Sequence, residues 1–169
     1  AEDAAALRGE VEALAARINA RHGAAQAGLL QLLQAPLPHS TVLALLARAR
    51  VGVVSALRDG MNLVAKEYVA AQDPADPGVL VLSVHAGAAR ELTAALQVEP
   101  REPGALAAAI HHALRMPLCE RRRRHASMLE VLRRNDLHAW TARFLERLEG
   151  ASAGPARPAL PPGAALSPP

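Results

Sequence analysis

The sequence predicts an α/β fold, a Rossmann-like parallel sheet layered with helices and followed by further C-terminal helices. Three observations predict it. Val79-Leu80-Val81-Leu82-Ser83 is apolar toward both faces, as a central parallel strand covered on both sides must be. Val51-Gly52-Val53-Val54-Ser55 is a second short run rich in β-branched residues. Around these runs, helical patterns alternate with strands, the order in which parallel layers are built.

The elements follow in order. Residues 3 to 22 read as a helix, because Leu7, Val11, Leu14 and Ile18 recur at helical spacing and Gly23 suits a stop. Leu29 to Leu33 reads as a short buried strand. Pro38-His39-Ser40 opens a helix to about Arg48, with Ser40 as its N-cap. After the Val51–Ser55 strand, a sharp turn at Asp59-Gly60 leads into a helix from Asn62 to about Ala71. Asp73-Pro74-Ala75-Asp76-Pro77-Gly78 is a turn, since Pro and Gly stop both helix and strand. Beyond Val79–Ser83, a helix start follows at Gly87 and a short strand lies near Gln97-Val98. Three helices come last, about Pro103 to Arg115, Pro117 to Arg134 and Leu137 to Glu149. Residues 1–149 are expected to form one lobe. The tail 150–169 is rich in Ala, Pro and Gly with almost no charge; it cannot offset its ordering entropy and is expected to be disordered.

Composition bounds the function. A chain of 169 residues has enough material for one core, built from Leu, Val and Ala, because Tyr68, Trp140 and Phe144 are the only aromatics. The formal net charge of +3 comes from arginine, Lys66 being the only lysine. The basic run Arg121–Arg124 lacks the stacking aromatics of a nucleic-acid surface and reads as a solvated helix face, so no nucleic acid is expected. Adjacent His111 and His112 point to different helix faces, and no metal site or cofactor is expected. A single cysteine, Cys119, fits a reducing, cytoplasmic setting, and no apolar run is long enough for a membrane span.

The chemistry concentrates in Leu57–Pro74. In open α/β sheets, ligands bind beyond the carboxyl ends of the strands, where the turn after Val51–Ser55 lies. The first helical turn offers N–H groups at about Leu63 and Val64 together with the positive end of the helix dipole, which suits a pyrophosphate. Gly60 lets the backbone approach a ligand closely. Glu67 lies one turn further, about 6 Å along the axis, and leans back toward ribose hydroxyls. Asp59 could accept bonds from sugar hydroxyls on the other side. A plain surface turn, with Asp59 as a cap and Glu67 beside Lys66, explains the same spacing.

Leu57-Arg58-Asp59-Gly60-Met61-Asn62-Leu63-Val64-Ala65-Lys66-Glu67-Tyr68-Val69-Ala70 closely resembles the donor-site signature of trehalose-6-phosphate synthases. The likeness continues through Ala71-Gln72-Asp73-Pro74, Pro77–Ser83, Ala86-Gly87-Ala88-Ala89 and Glu91-Leu92. It persists in Ala113–Leu118, Glu120-Arg121-Arg122, Asn135-Asp136, Trp140 and Phe144-Leu145. Upstream, Glu10-Val11-Glu12 and Arg17-Ile18-Asn19 also fit.

The resemblance implies the C-terminal, donor-binding lobe of a two-lobed retaining glycosyltransferase. Such enzymes move glucose from UDP-glucose to glucose 6-phosphate without a metal. It implies that Asp59, Gly60, Met61 and Asn62 contact glucose, that Leu63 and Val64 offer amides to the pyrophosphate, and that Glu67 holds the ribose. Leu37 falls where the family's backbone meets the uracil. No catalytic residue is assigned to this lobe. The acceptor lobe and the loop with the family's phosphate-neutralising Arg and Lys have no counterpart in these residues, and neither Arg58 nor Lys66 has a clear line to the phosphate. The chain is therefore expected to be part of a longer enzyme, to bind donor weakly and to transfer nothing alone. Docking to an N-terminal lobe or a homo-oligomer is expected, and the Trp140, Phe144, Leu148 stripe is either core or such a docking face. A non-catalytic lobe that binds a nucleotide sugar or a partner chain, or a related retaining transferase with another donor or acceptor, is the alternative.

Several positions depart from the family's pattern. Ala56 stands for a proline, Arg50 for an aspartate, Leu37 for an aromatic and His85 for a phenylalanine, and Glu99-Pro100-Arg101-Glu102 replaces an Asn-Pro-Tyr-Asp-like loop.

Overall fold

The computed structural model describes residues 2–22 and 29–152. The chain divides into two compact units, Ala1–Val42 and Leu43–Pro169.

The first unit holds helix α1, Glu2–His22. The expected strand at Leu29–Leu33 does not form; this stretch is without regular structure, and Leu29 and Leu33 are exposed. A strand needs a neighbouring backbone. Here the backbone of Leu30 is served by one side chain, since Asn19 accepts from its N–H at 2.8 Å and donates to its C=O at 2.9 Å. Gln34 then donates to Glu12 at 2.6 Å, tying the stretch along α1. The proposed stop at Gly23 lies outside the described residues.

Helix α2, His39–Arg48, opens in the first unit and ends in the second. Ser40 is its second residue, not its cap. The Pro38 carbonyl accepts from Thr41 N–H at 2.9 Å and Val42 N–H at 3.1 Å, so the helix starts one residue early.

The second unit is a three-layer α/β structure. Strands β1 (Val51–Val54), β2 (Val79–Ser83) and β3 (Leu96–Val98) form one parallel sheet in that order. Val51 pairs with Val79 and Val54 with Leu82; Val81 pairs with Leu96 and Ser83 with Val98. Every residue of the central β2 is buried. The period of two sends its side chains to opposite faces. Leu80 and Leu82 join the cluster of Ala65, Tyr68 and Val69 from α3, Leu63–Ala71. Val79 and Val81 join Leu106, Ala109 and Ala113 of α4, Pro103–Arg115, on the other face. Complete burial of each such Leu contributes about 1.5–3 kcal/mol. Gly52 is required by Tyr68, whose ring would stand 2.7 Å from a Cβ there.

Helix α5, Leu118–Arg134, packs on α3 and buries Arg121, His125 and Met128. The reading of Arg121–Arg124 as a solvated face fails for Arg121 and in part for Arg124, while Arg122 and Arg123 are exposed. Arg121 is buried; its guanidinium bonds Asp76 at 2.7 Å and the carbonyls of Pro77 and Met116. Arg122 donates to Ala75 O, and Arg124 to Ala94 O and Glu120. Guanidiniums anchor loop carbonyls that no helix or strand would pair.

Helix α6, Leu137–Ser152, passes beyond the expected end at Glu149 into the tail; residues 153–169 lie outside the described residues. Trp140 and Phe144 stack with ring centroids 5.3 Å apart and planes 6° apart, yet are 56% and 47% exposed. They are therefore not core. Among the described residues no helix is long and apolar enough to cross a membrane.

Candidate functional site

The site begins where β1 ends. Ser83, fully buried, donates to Ala56 O at 2.6 Å and accepts from His85 N–H at 3.1 Å, which joins the carboxyl ends of β1 and β2. The two chain segments then run together. Gly87 N–H donates to Asp59 O at 2.9 Å and Ala88 N–H to Met61 O at 2.8 Å. The short 3-10 helix Gly87–Arg90 thus sits directly on the Asp59–Asn62 turn. Gly87 permits this contact. A Cβ there would collide with the Gly60 carbonyl and stand 3.1 Å from the Met61 Cα.

The turn is shaped by Asp59 and Asn62. One Asp59 oxygen accepts from the N–H groups of Met61 and Asn62, each at 3.1 Å, and the other accepts from Asn62 Nδ2 at 2.8 Å. The bond from the Asn62 side chain, then that from the Met61 N–H, holds the Asp59 carboxyl below its ordinary pKa. Three of about four lone-pair sites are thereby used, leaving room for a single further donor. Asn62 is left-handed, φ 63°, and is the one non-glycine residue with positive φ among those described. Its Oδ1 caps α3 by accepting from Ala65 N–H at 2.9 Å. The left-handed position of the turn therefore falls on Asn62, whose short amide tolerates it. A Cβ at Gly60 would meet nothing within 4 Å.

With Ala65 capped, the N–H groups of Leu63 and Val64 have no hydrogen-bond partner among the described residues. Both residues are about half exposed, as is Met61. They offer two donors at the positive end of a helix, a geometry that receives an anion. Glu67 is half-buried one turn along α3. The neighbouring Lys66 has its ammonium bound to both Glu91 oxygens, at 3.0 and 3.1 Å. Leu37 lies in the first unit, in the stretch before α2, and is 37% exposed.

Beside the turn opens a cavity of about 380 Å3 lined by Asp59, Gly60, Val84, His85, Ala86, Gly87 and Arg90. At its rim His85 Nε2 lies 2.9 Å from Glu99. These are two of the positions that depart from the family's pattern, and they meet each other. Val84 and Arg90 are the lining residues that sequence reasoning passed over; Arg90 falls between the motif words Ala88-Ala89 and Glu91-Leu92. A charge at the free end of a short helix was the available signal. Among the described residues no group of three or more His, Cys, Asp and Glu could hold a metal ion.

Residues 1–150 match the family model for glycosyltransferase family 20. A trehalose-6-phosphate synthase of Klebsiella pneumoniae is 51% identical over 143 residues, which are 85% of this chain and 30% of that protein. The solved structure described as "Trehalose-6-phosphate from E. coli bound with UDP-2-fluoro glucose" superposes with a TM-score of 0.81 at 48% identity, over 84% of this chain and 32% of that one. A UDP-forming alpha,alpha-trehalose-phosphate synthase from Burkholderia xenovorans in complex with glucose-6-phosphate superposes with a TM-score of 0.81 at 46% identity, over 85% of this chain and 31% of that one. The chain thus spans about a third of the length of the relatives it matches.

Proposed function

The chain belongs to glycosyltransferase family 20, and on that footing we propose that it is the UDP-glucose-binding part of a trehalose-6-phosphate synthase. The whole enzyme would transfer glucose from UDP-glucose to glucose 6-phosphate with retention, releasing UDP. Residues 1–149 would be its C-terminal lobe.

One observation carries this reading. The Asp59–Asn62 turn ends in a capped helix whose Leu63 and Val64 N–H groups remain open, in a chain 48% identical to a structure bound with UDP-2-fluoro glucose. In the reading, those amides hold the pyrophosphate. Gly60, Met61 and Asn62 face the glucose through backbone groups. Asp59 mainly shapes the turn and spends its remaining lone pair on a sugar hydroxyl. Glu67 accepts from the ribose. The acceptor glucose 6-phosphate would be held by the N-terminal lobe. A reducing, cytoplasmic setting suits the free thiol of Cys119.

The exposed Trp140–Phe144 stack supports docking of that lobe against α6. The test is to join this chain to the N-terminal lobe of a family relative, as a mixture and as one polypeptide. The expected result is trehalose 6-phosphate from the joined protein, none from this chain alone, and a blue shift of Trp140 emission. Silence of the joined protein, or activity of this chain alone, would contradict the proposal.

A further inference from the structure

We propose that His85, oriented by Glu99, contacts a hydroxyl of the donor sugar and sets this chain's selectivity for it. The inference rests on the donor reading above and adds a specificity-determining residue to it.

The cavity beside the donor turn puts His85 on the sugar's side of the site. Its lining includes Asp59 and Gly60, which the donor reading gives to glucose, and does not include Leu63 or Val64, which that reading gives to the pyrophosphate. At about 380 Å3 it falls within the range of about 300–1,000 Å3 common for small-molecule sites. Its polar side chains are Asp59, His85 and Arg90. Asp59 spends most of its lone pairs on its own turn. A hexose presents several hydroxyls, and the lone pair that remains serves one of them.

His85 is held so that it can serve another. Its backbone N–H donates to Ser83 Oγ at 3.1 Å, and its carbonyl accepts from Asp59 N–H at 3.4 Å. Its neighbour Val84 donates through N–H to Val98 O at 3.0 Å. The ring is held as well. Nε2 lies 2.9 Å from one Glu99 oxygen, and the other accepts from Arg101 N–H at 3.3 Å, so the carboxylate that orients the ring is itself tied down. A carboxylate accepts, so Nε2 carries the hydrogen and Nδ1 is left as the ring's second polar atom. Nδ1 has no hydrogen-bond partner among the described residues. A hydroxyl suits it in either protonation state, because a hydroxyl both donates and accepts.

Both partners depart from the family's pattern, His85 for a phenylalanine and Glu99 for the asparagine of the Asn-Pro-Tyr-Asp-like loop. A phenylalanine has no N–H for Glu99 and no polar atom for a hydroxyl. The pair thus puts a polar group where the pattern has an apolar ring. A site that bonds a substrate hydroxyl rejects the analogue lacking it.

The experiment is an amide-NMR titration of the 169-residue chain with UDP, UDP-glucose and UDP-sugars that each lack one glucose hydroxyl. In the parent chain at least one analogue is expected to bind about three- to tenfold more weakly than UDP-glucose, the loss of one hydrogen bond. In His85→Phe the penalty of one such analogue should vanish: UDP-glucose falls to its affinity, while the analogue and UDP keep theirs. Glu99→Ala keeps the imidazole but releases it, and should shift UDP-glucose less in the same direction. It carries the test if circular dichroism shows that His85→Phe does not fold. UDP-glucose affinity unchanged in the folded variant overturns the inference while the donor reading stands. Equal weakening of UDP and UDP-glucose also overturns it, because the effect then does not follow the sugar. So does a parent chain that binds every analogue as well as UDP-glucose. A parent chain that binds neither UDP nor UDP-glucose overturns the donor reading itself and this inference with it.

Discussion

Asp59 accepts a hydrogen bond from the side-chain amide of Asn62 at 2.8 Å, and through that bond sets the start of α3. The other end of the same amide caps Ala65 N–H. Asn62 therefore links the turn to the helix while held at φ 63°. Replacing it with Ala removes the cap and leaves a Cβ in the left-handed region. The expected destabilisation is about 2–3 kcal/mol, from a cap of about 1 and a left-handed penalty of about 1–2. Asn62→Gly keeps the backbone freedom and should cost a few tenths to about 1 kcal/mol. Urea unfolding of both variants checks the order; equal losses would refute the left-handed contribution.

The same carboxylate gives the turn an acid limit. Its folded pKa lies below the ordinary 3.8, so its bonds stabilise the fold fully above the unfolded value. That contribution disappears as pH falls through the folded pKa. Amide resonances of Met61 and Asn62 should therefore shift together below pH about 4. In Asp59→Asn this transition should be absent; its persistence would place the titration elsewhere.

Tyr68 sets a limit at the opposite end of the pH scale. Burial pushes its phenol up to about 12, against 10.0 in the unfolded chain, while its hydroxyl donates to Ala49 O at 3.0 Å. The folded form is the better proton binder, so its advantage is complete below pH 10 and is lost as pH rises toward 12. Because this is the only tyrosine, phenolate absorbance reports a single site. The expected curve shows no ionisation near 10 while the protein is folded, then ionisation coincident with loss of the α/β circular dichroism. A simple titration centred at 10 in folded protein would contradict the burial of Tyr68.

Two glycines of the site should respond oppositely to alanine. Gly87→Ala drives a Cβ into the Gly60 carbonyl and forces the 3-10 helix off the turn. Destabilisation of about 1–3 kcal/mol is expected, as for overpacking against atoms that cannot rotate away. Gly60→Ala meets no protein atom within 4 Å and should leave stability nearly unchanged, while obstructing a ligand on that face. Thermal unfolding of the pair separates the two; matched losses would show that the turn, not the ligand face, requires Gly60.

Much of the fold is legible in the sequence because burial on both faces leaves an unambiguous pattern. β2 and α4 occupy the residues that the sequence indicates, since Gly78 and Pro103 bound them and their apolar positions match the periods of two and 3.6. Leu29–Leu33 shows the limit of that logic: an apolar run states only that it avoids water, and Asn19 removed its need for a strand partner. The burial of Arg121 in α5 is not legible for a related reason, because a charge run does not disclose which loop carbonyls lie within reach. In the site, the spacing of Asp59, Leu63 and Glu67 was visible. The consumption of the Asp59 lone pairs by its own turn was not, because it depends on the left-handed backbone of Asn62.

The central claim is that Asp59–Glu67 forms a receptor for UDP-glucose, and the most direct measurement is a titration of isotope-labelled chain with UDP-glucose followed by amide NMR. The account predicts saturable shifts concentrated at Gly60 to Val64 and at Glu67, largest at the open amides of Leu63 and Val64. No saturable shift, or shifts confined to residues away from this turn, would contradict it.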